Sequence, residues 1–148
     1  MTHNLSERYV SPEVARLLKE HGFNEVCRCV YRMESDGSER FMEVEEIPRW
    51  DDCRGALNEQ LPEGYISAPT QAMAREWVET VHKLFIEVMC GDEMTEDYSE
   101  VISTWFDYDI IPIGKNTVIV PPADGIVTFD EPWKCVETAL KNILTKII

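Results

Sequence analysis

Between Lys83 and Lys115 the sequence contains no Lys, Arg or His, yet eight carboxylates fall there: Glu87, Asp92, Glu93, Glu96, Asp97, Glu100, Asp107 and Asp109. Basic residues are scarce throughout, 14 Lys and Arg against 28 Asp and Glu, for a net charge of -14. Phosphate contacts need clustered cations, so direct nucleic-acid binding is not expected. Docking on anionic lipid is excluded on the same ground. Long apolar runs are also missing. No stretch approaches the roughly 20 residues that span a bilayer, and the opening MTHNLSERYV lacks the apolar centre of an export signal. The five cysteines, Cys27, Cys29, Cys53, Cys90 and Cys135, are odd in number and irregular in spacing. Without an export signal they read as reduced thiols, and the expected location is the cytoplasm.

Motifs of catalysis and cofactor binding are absent too. There is no Gly-x-Ser-x-Gly elbow, no phosphate-cradling loop and no Gly-x-Gly-x-x-Gly. Cys27-x-Cys29 lacks the two-to-four residue gap of zinc knuckles, and no second pair follows. Neither a zinc site nor a cofactor is therefore expected, and the cysteines read as small core residues. His21 and His82 each sit at the end of a predicted helix, with no pattern linking them to a thiol.

What is present fits one domain with one core in 148 residues. Residues Ser67 to Cys90 read as a helix running straight into a strand. Ser67 or Thr70 is the expected cap, and Pro69 fits near the start. Met73, Ala74, Trp77, Val78 and Val81 share a helical face. From Lys83 the period changes to two, and Leu84, Ile86, Val88 and Cys90 line one side of a strand. Trp77 is the largest side chain able to fill the junction.

Elsewhere, Ser11-Pro12-Glu13 opens a helix closed by Gly22, with Phe23 placed to touch Leu18 in a Schellman motif. Cys27 to Met33 and Arg40 to Glu45 read as a hairpin about the turn Ser35-Asp36-Gly37-Ser38. Pro48 to Leu57 is expected to form a short helix with Trp50, Cys53 and Leu57 on one side. Asn58 to Gly64 reads as a loop, Tyr65-Ile66 as a brief extended stretch, and Gly91 to Ser99 as a polar loop. Val101 to Ile111 reads as a long strand stopped by Pro112, with a further short strand over Thr117 to Val120. Asp130 is expected to cap a last helix with Trp133, Val136, Leu140, Ile143, Leu144 and Ile147 on one face. The predicted class is α+β: a mainly antiparallel sheet of four or five strands covered by three helices, in the order αββ-αββ(β)-α.

Trp105, Asp107 and Asp109 fall on one face of the long strand, with Phe106 and Tyr108 on the other. Two carboxylates beside an indole suit a divalent cation, an amine or a sugar; the plainer reading is an exposed face that is acidic by composition. Asp92, Glu93, Glu96 and Asp97 form a candidate partner surface, against the simpler reading of a solubilising charge. Trp50 and Trp105 lack the apolar stripes that explain Trp77 and Trp133, and read as surface or interface aromatics.

Ser11 to Glu25 (SPEVARLLKEHGFNE), Tyr65 to Trp77 (YISAPTQAMAREW) with His82, and the helix from Phe129 to Leu144 together resemble small uncharacterised proteins of bacteriophages and prophages. The resemblance implies an intracellular product of a mobile genetic element. It implies no activity, cofactor or catalytic residue, and Gly91 to Val120 lies outside it. The leading expectation is a non-enzymatic binding or accessory protein acting on an unidentified protein partner, with no membrane association and with homo-oligomerisation left open. The alternatives are a small enzyme or metal-dependent domain using Asp107 and Asp109, and an acidic DNA mimic.

Overall fold

The computed structural model describes residues 8–115 and 128–148. The expected strand over Thr117 to Val120 lies outside them. The chain divides into two compact units, Met1–Ala74 and Arg75–Ile148. The fold class is α+β, with three α-helices and five antiparallel strands among the described residues. The strands form two sheets, one of three and one of two, where a single sheet was expected.

In the first unit, helix α1 (Pro12–Glu20) begins as its sequence directs, with the Ser11 hydroxyl accepting from the Val14 N–H at 3.2 Å. It ends in the Schellman pattern: Phe23 N–H bonds Leu18 O at 2.9 Å and Gly22 N–H bonds Lys19 O at 3.1 Å. Phe23 and Leu18 are both buried. Strands β1 (Cys29–Met33) and β2 (Glu39–Glu43) pair about the Asp36-Gly37 turn, with Val30 opposite Met42 and Tyr31 opposite Phe41. Strand β3 (Tyr65–Ser67) adds antiparallel to the other edge of β1, giving the order β2-β1-β3. One face packs Val30, Met42, Val44, Ile47, Ala56 and Tyr65 together, with Trp50 and Leu61 laid against them.

The short helix expected over Pro48 to Leu57 does not form. Single 3-10 turns occur instead at Val44–Glu46 and Asn58–Gln60. Gly55 has φ +125°, a conformation closed to side-chain residues, and a Cβ there would lie 2.6 Å from Cys27 O. The backbone approaches that closely because Cys27 and Ala56 exchange both N–H···O bonds at 2.9 Å. Asn58, expected in a surface loop, is buried. Its amide donates to Phe23 O at 2.8 Å and accepts from Ser67 N–H at 2.9 Å, tying three separate segments together.

Helix α2 (Gln71–His82) is capped by Thr70, whose hydroxyl accepts from Met73 N–H at 3.1 Å; Ser67 belongs to β3 instead. In the second unit α2 runs into strand β4 (Leu84–Met94) with only Lys83 between them, in a left-handed conformation at φ 58°. Trp77 and Val78 are buried, whereas Val81, expected on the same face, is 54% exposed. Strand β4 pairs along its length with β5 (Val101–Pro112), so Gly91 to Met94 is strand and not loop. Helix α3 (Pro132–Asn142) packs on this hairpin and continues through a π turn, Ile143–Ile147. Its N-cap is Glu131, without a side-chain cap bond, and Asp130 instead pairs with Lys134 at 2.6 Å. Cys135, Val136, Ala139, Leu140, Ile143 and Leu144 are buried, while Trp133 and Ile147 are half-buried.

Truncating Trp77 to Ala is expected to cost about 3–5 kcal/mol of stability, the range for buried aromatics. Asn58→Ala leaves a buried carbonyl and N–H without partners and is expected to cost about 1–3 kcal/mol. Denaturant midpoints check both; an unchanged midpoint removes that residue from the core.

Candidate functional site

The hairpin carries seven of the eight residues singled out from the sequence. Its base is buried on one face through Leu84, Ile86, Tyr108 and Ile110. The Tyr108 hydroxyl accepts from the Asn142 amide at 2.6 Å, fixing α3 to β5. Burial pushes the Tyr108 hydroxyl's pKa up, partly offset by that bond. Arg75 donates to Ile86 O at 2.6 Å, and Ile113 N–H to Lys83 O at 2.8 Å, closing the base.

Beyond the base the cover ends. Val101, Ile102 and Tyr98 are exposed, Ile102 by 61% and Tyr98 by 79%. Trp105 stands opposite Gly91 and lies across it: a Cβ on Gly91 would sit 2.1 Å from the indole Cζ2. Glycine is required there to let the ring reach across the strand. Trp105 nevertheless stays 38% exposed.

Register places the remaining candidates. Asp107 faces Met89 and Asp109 faces Glu87, so Asp109 has a like charge directly across the ladder. Asp107 Oδ1 accepts from the N–H of its neighbour Tyr108 at 2.7 Å. No three His, Cys, Asp or Glu side chains gather into a metal-binding group among the described residues. Asp92 faces Thr104 and accepts its hydroxyl at 2.7 Å, and Glu93 faces Ser103 and accepts at 3.2 Å. Adjacent strand residues point to opposite faces, so Asp92 and Glu93 are divided between the two sides of the hairpin.

Glu96 and Asp97 lie in the connecting turn. Asp97 organises it: Oδ1 accepts from Thr95 Oγ1 at 2.6 Å, Ser99 Oγ at 2.7 Å and Ser99 N–H at 3.2 Å. These donors, Thr95 first, hold the Asp97 carboxyl at a pKa of about 2. Tyr98 takes a left-handed conformation at φ 57° to complete the turn. Trp50 is elsewhere, in the first unit, where its indole N–H donates to Asp52 O at 2.8 Å and its ring is half-buried against the core.

The sequence did not reveal a cavity of about 490 Å³ in the first unit, lined among others by Tyr9, Cys27, Arg28, Cys29, Glu43 and Met73. These residues come from the segment before α1, from the two positions before β1, from β1 and β2, and from the first turn of α2. The pairing of Tyr9 with Thr70, and of β1 with β2 and β3, brings them together. Burial pushes the Cys27 thiol up to about 12 and raises Cys29 as well.

Because the Asp97 carboxyl titrates lower folded than unfolded, its contribution to the turn is complete above the ordinary carboxyl range. That contribution is lost as the pH falls through about 2. A carboxyl carbon-13 titration is expected to place its midpoint near that value, and Thr95→Ala is expected to raise it. An ordinary midpoint near 3.8 in the unsubstituted protein would contradict the turn geometry.

No protein family, no curated protein and no solved structure matches the chain.

Proposed function

We propose that the protein is a non-enzymatic binding or accessory protein whose distal β4–β5 hairpin docks a basic surface on a partner protein. The observation that carries this reading is the mixture on that hairpin: exposed Tyr98, Val101, Ile102 and Trp105 beside exposed Asp92, Glu93, Glu96 and Glu100. Aromatic and aliphatic anchors supply the affinity of interfaces. The surrounding acids supply long-range steering and reject acidic partners. A second copy of the same hairpin is a poor occupant, because it would set acid against acid. A phage or prophage product, as the resemblance of residues 11–25 and 65–77 implies, would aim this surface at a host protein.

The two other readings draw less support. An enzyme built on Asp107 and Asp109 needs a further ligand or a base held with them, and what faces them across the ladder is Met89 and Glu87. A DNA mimic needs its acids in phosphate-like rows, whereas Asp92 and Glu93 take opposite faces and are interleaved with apolar side chains.

The test compares the unsubstituted protein with Asp92→Asn/Glu93→Gln/Glu96→Gln and, separately, with Ile102→Asn, using a partner captured from lysate and then purified. Asp97 is left in place because its carboxylate holds the turn. Neutralising the acids is expected to slow association by roughly tenfold at low salt, with that difference vanishing as screening shortens from about 8 Å at physiological salt to about 3 Å at 1 M. Ile102→Asn is expected to speed dissociation instead. A complex insensitive to salt and to both variants would remove the hairpin from the interface.

A further inference from the structure

The cavity in the first unit is built on one face of its sheet. Glu43 stands opposite Cys29 in the β1–β2 register, so the two side chains share a face. On the other side of β1, Ala68 N–H bonds Cys29 O at 2.9 Å. All three residues line the cavity, whose volume is about 490 Å³. Burial keeps the Cys27 and Cys29 thiols protonated, so they add no charge to its wall. Its charged residues are Arg28, Arg54 and Glu43. Arg54 is already answered, since its Nε and Nη2 donate to the two oxygens of Asp52, each at 3.1 Å. Arg28 and Glu43 are not. Neither forms an ion pair within 4.0 Å, with the other or with any further described residue. Two opposite charges therefore border one cavity without meeting. Val26, Ala68 and Met73 add apolar surface beside them. A volume of this size, with apolar walls and a few charged groups, is that of a small-molecule site. A ligand bearing only an anion would satisfy Arg28 and be repelled by Glu43, and a cation would do the reverse. A ligand bearing both charges satisfies both residues.

We propose that this cavity binds a free α-amino acid with an apolar side chain, its carboxylate on Arg28, its ammonium on Glu43 and its side chain against Val26, Ala68 and Met73. The guanidinium fork of Arg28 matches a carboxylate in two parallel hydrogen bonds. The Glu43 carboxylate accepts from the ammonium in a charge-assisted bond of the same kind. The site lies wholly in the first unit and does not rest on the hairpin as a docking element.

The experiment titrates the full chain with L-leucine and follows backbone amide shifts by NMR. Two analogues of the same shape are titrated alongside: isocaproate, which lacks the ammonium, and isoamylamine, which lacks the carboxylate. The expected result is saturable shifts at Cys29, Ala68 and Met73 with leucine, and binding of each analogue weaker by about tenfold or more, the loss of one charged hydrogen-bonding group. Arg28→Gln and Glu43→Gln, both at exposed positions, are each expected to weaken leucine binding by about tenfold while the denaturant midpoint stays unchanged. Absence of saturable shifts at the cavity with leucine would overturn the proposal. Either analogue binding as tightly as leucine, or undiminished binding by folded Arg28→Gln or Glu43→Gln, would do the same. The analogue comparison uses the unsubstituted chain, so it decides the matter even where a variant fails to fold.

Discussion

A length mismatch governs the second unit. Strand β5 has 12 residues, and at about 3.3 Å per residue it reaches about 40 Å. Helix α3 has 11 residues, and at about 1.5 Å per residue it reaches about 17 Å. Even with the π turn added, the helix cannot cover the hairpin from end to end. The burial pattern follows: Leu84, Ile86, Tyr108 and Ile110 are covered, while Val101, Ile102 and Trp105 are left to solvent. A two-stranded ribbon is marginal by itself. Its exposed half is held by local devices: the Asp97 hydrogen bonds, the Thr104–Asp92 and Ser103–Glu93 pairs, and the indole of Trp105 lying on Gly91.

Those devices keep an apolar-edged ribbon extended in water, and the charge pattern restrains it from pairing with itself. Acids on both faces repel a second acidic ribbon, the usual protection of exposed strands. Glu87 opposite Asp109 adds a like-charge cost within the ladder that the apolar base must offset. The first unit follows a different logic. Its three strands are short, and irregular segments are closed over them by buried polar bonds, above all the Asn58 amide between Phe23 and Ser67.

Local chemistry was legible wherever a few neighbouring residues decide the outcome. Ser11 capping α1, the Schellman end at Phe23, the Asp36-Gly37 turn, the abrupt passage from α2 to β4, and Pro112 ending β5 were all readable, because each depends on bonds within a few positions. The misreadings arose where distant partners decide. Gly91 to Met94 is polar and acidic, yet it is strand because Ser103, Thr104 and Trp105 lie opposite. Pro48 to Leu57 has helical spacing, but the pairing of Cys27 with Ala56 forces Gly55 into a conformation no helix contains. Asn58 looked like a loop residue because its two partners are 35 and 9 positions away. Of the candidate site, the shared face of Trp105, Asp107 and Asp109 followed from strand alternation. The pairing of Asp92 with Thr104 and of Glu93 with Ser103 required the register.

The claim that the uncovered half of the hairpin is the binding element is tested most directly inside living cells. A photo-crosslinking amino acid is placed at Ile102, with a second protein carrying it at the equally exposed Val81 on α2. The account predicts a discrete protein adduct from position 102 and none from position 81. An adduct from position 81 with none from 102 would contradict it.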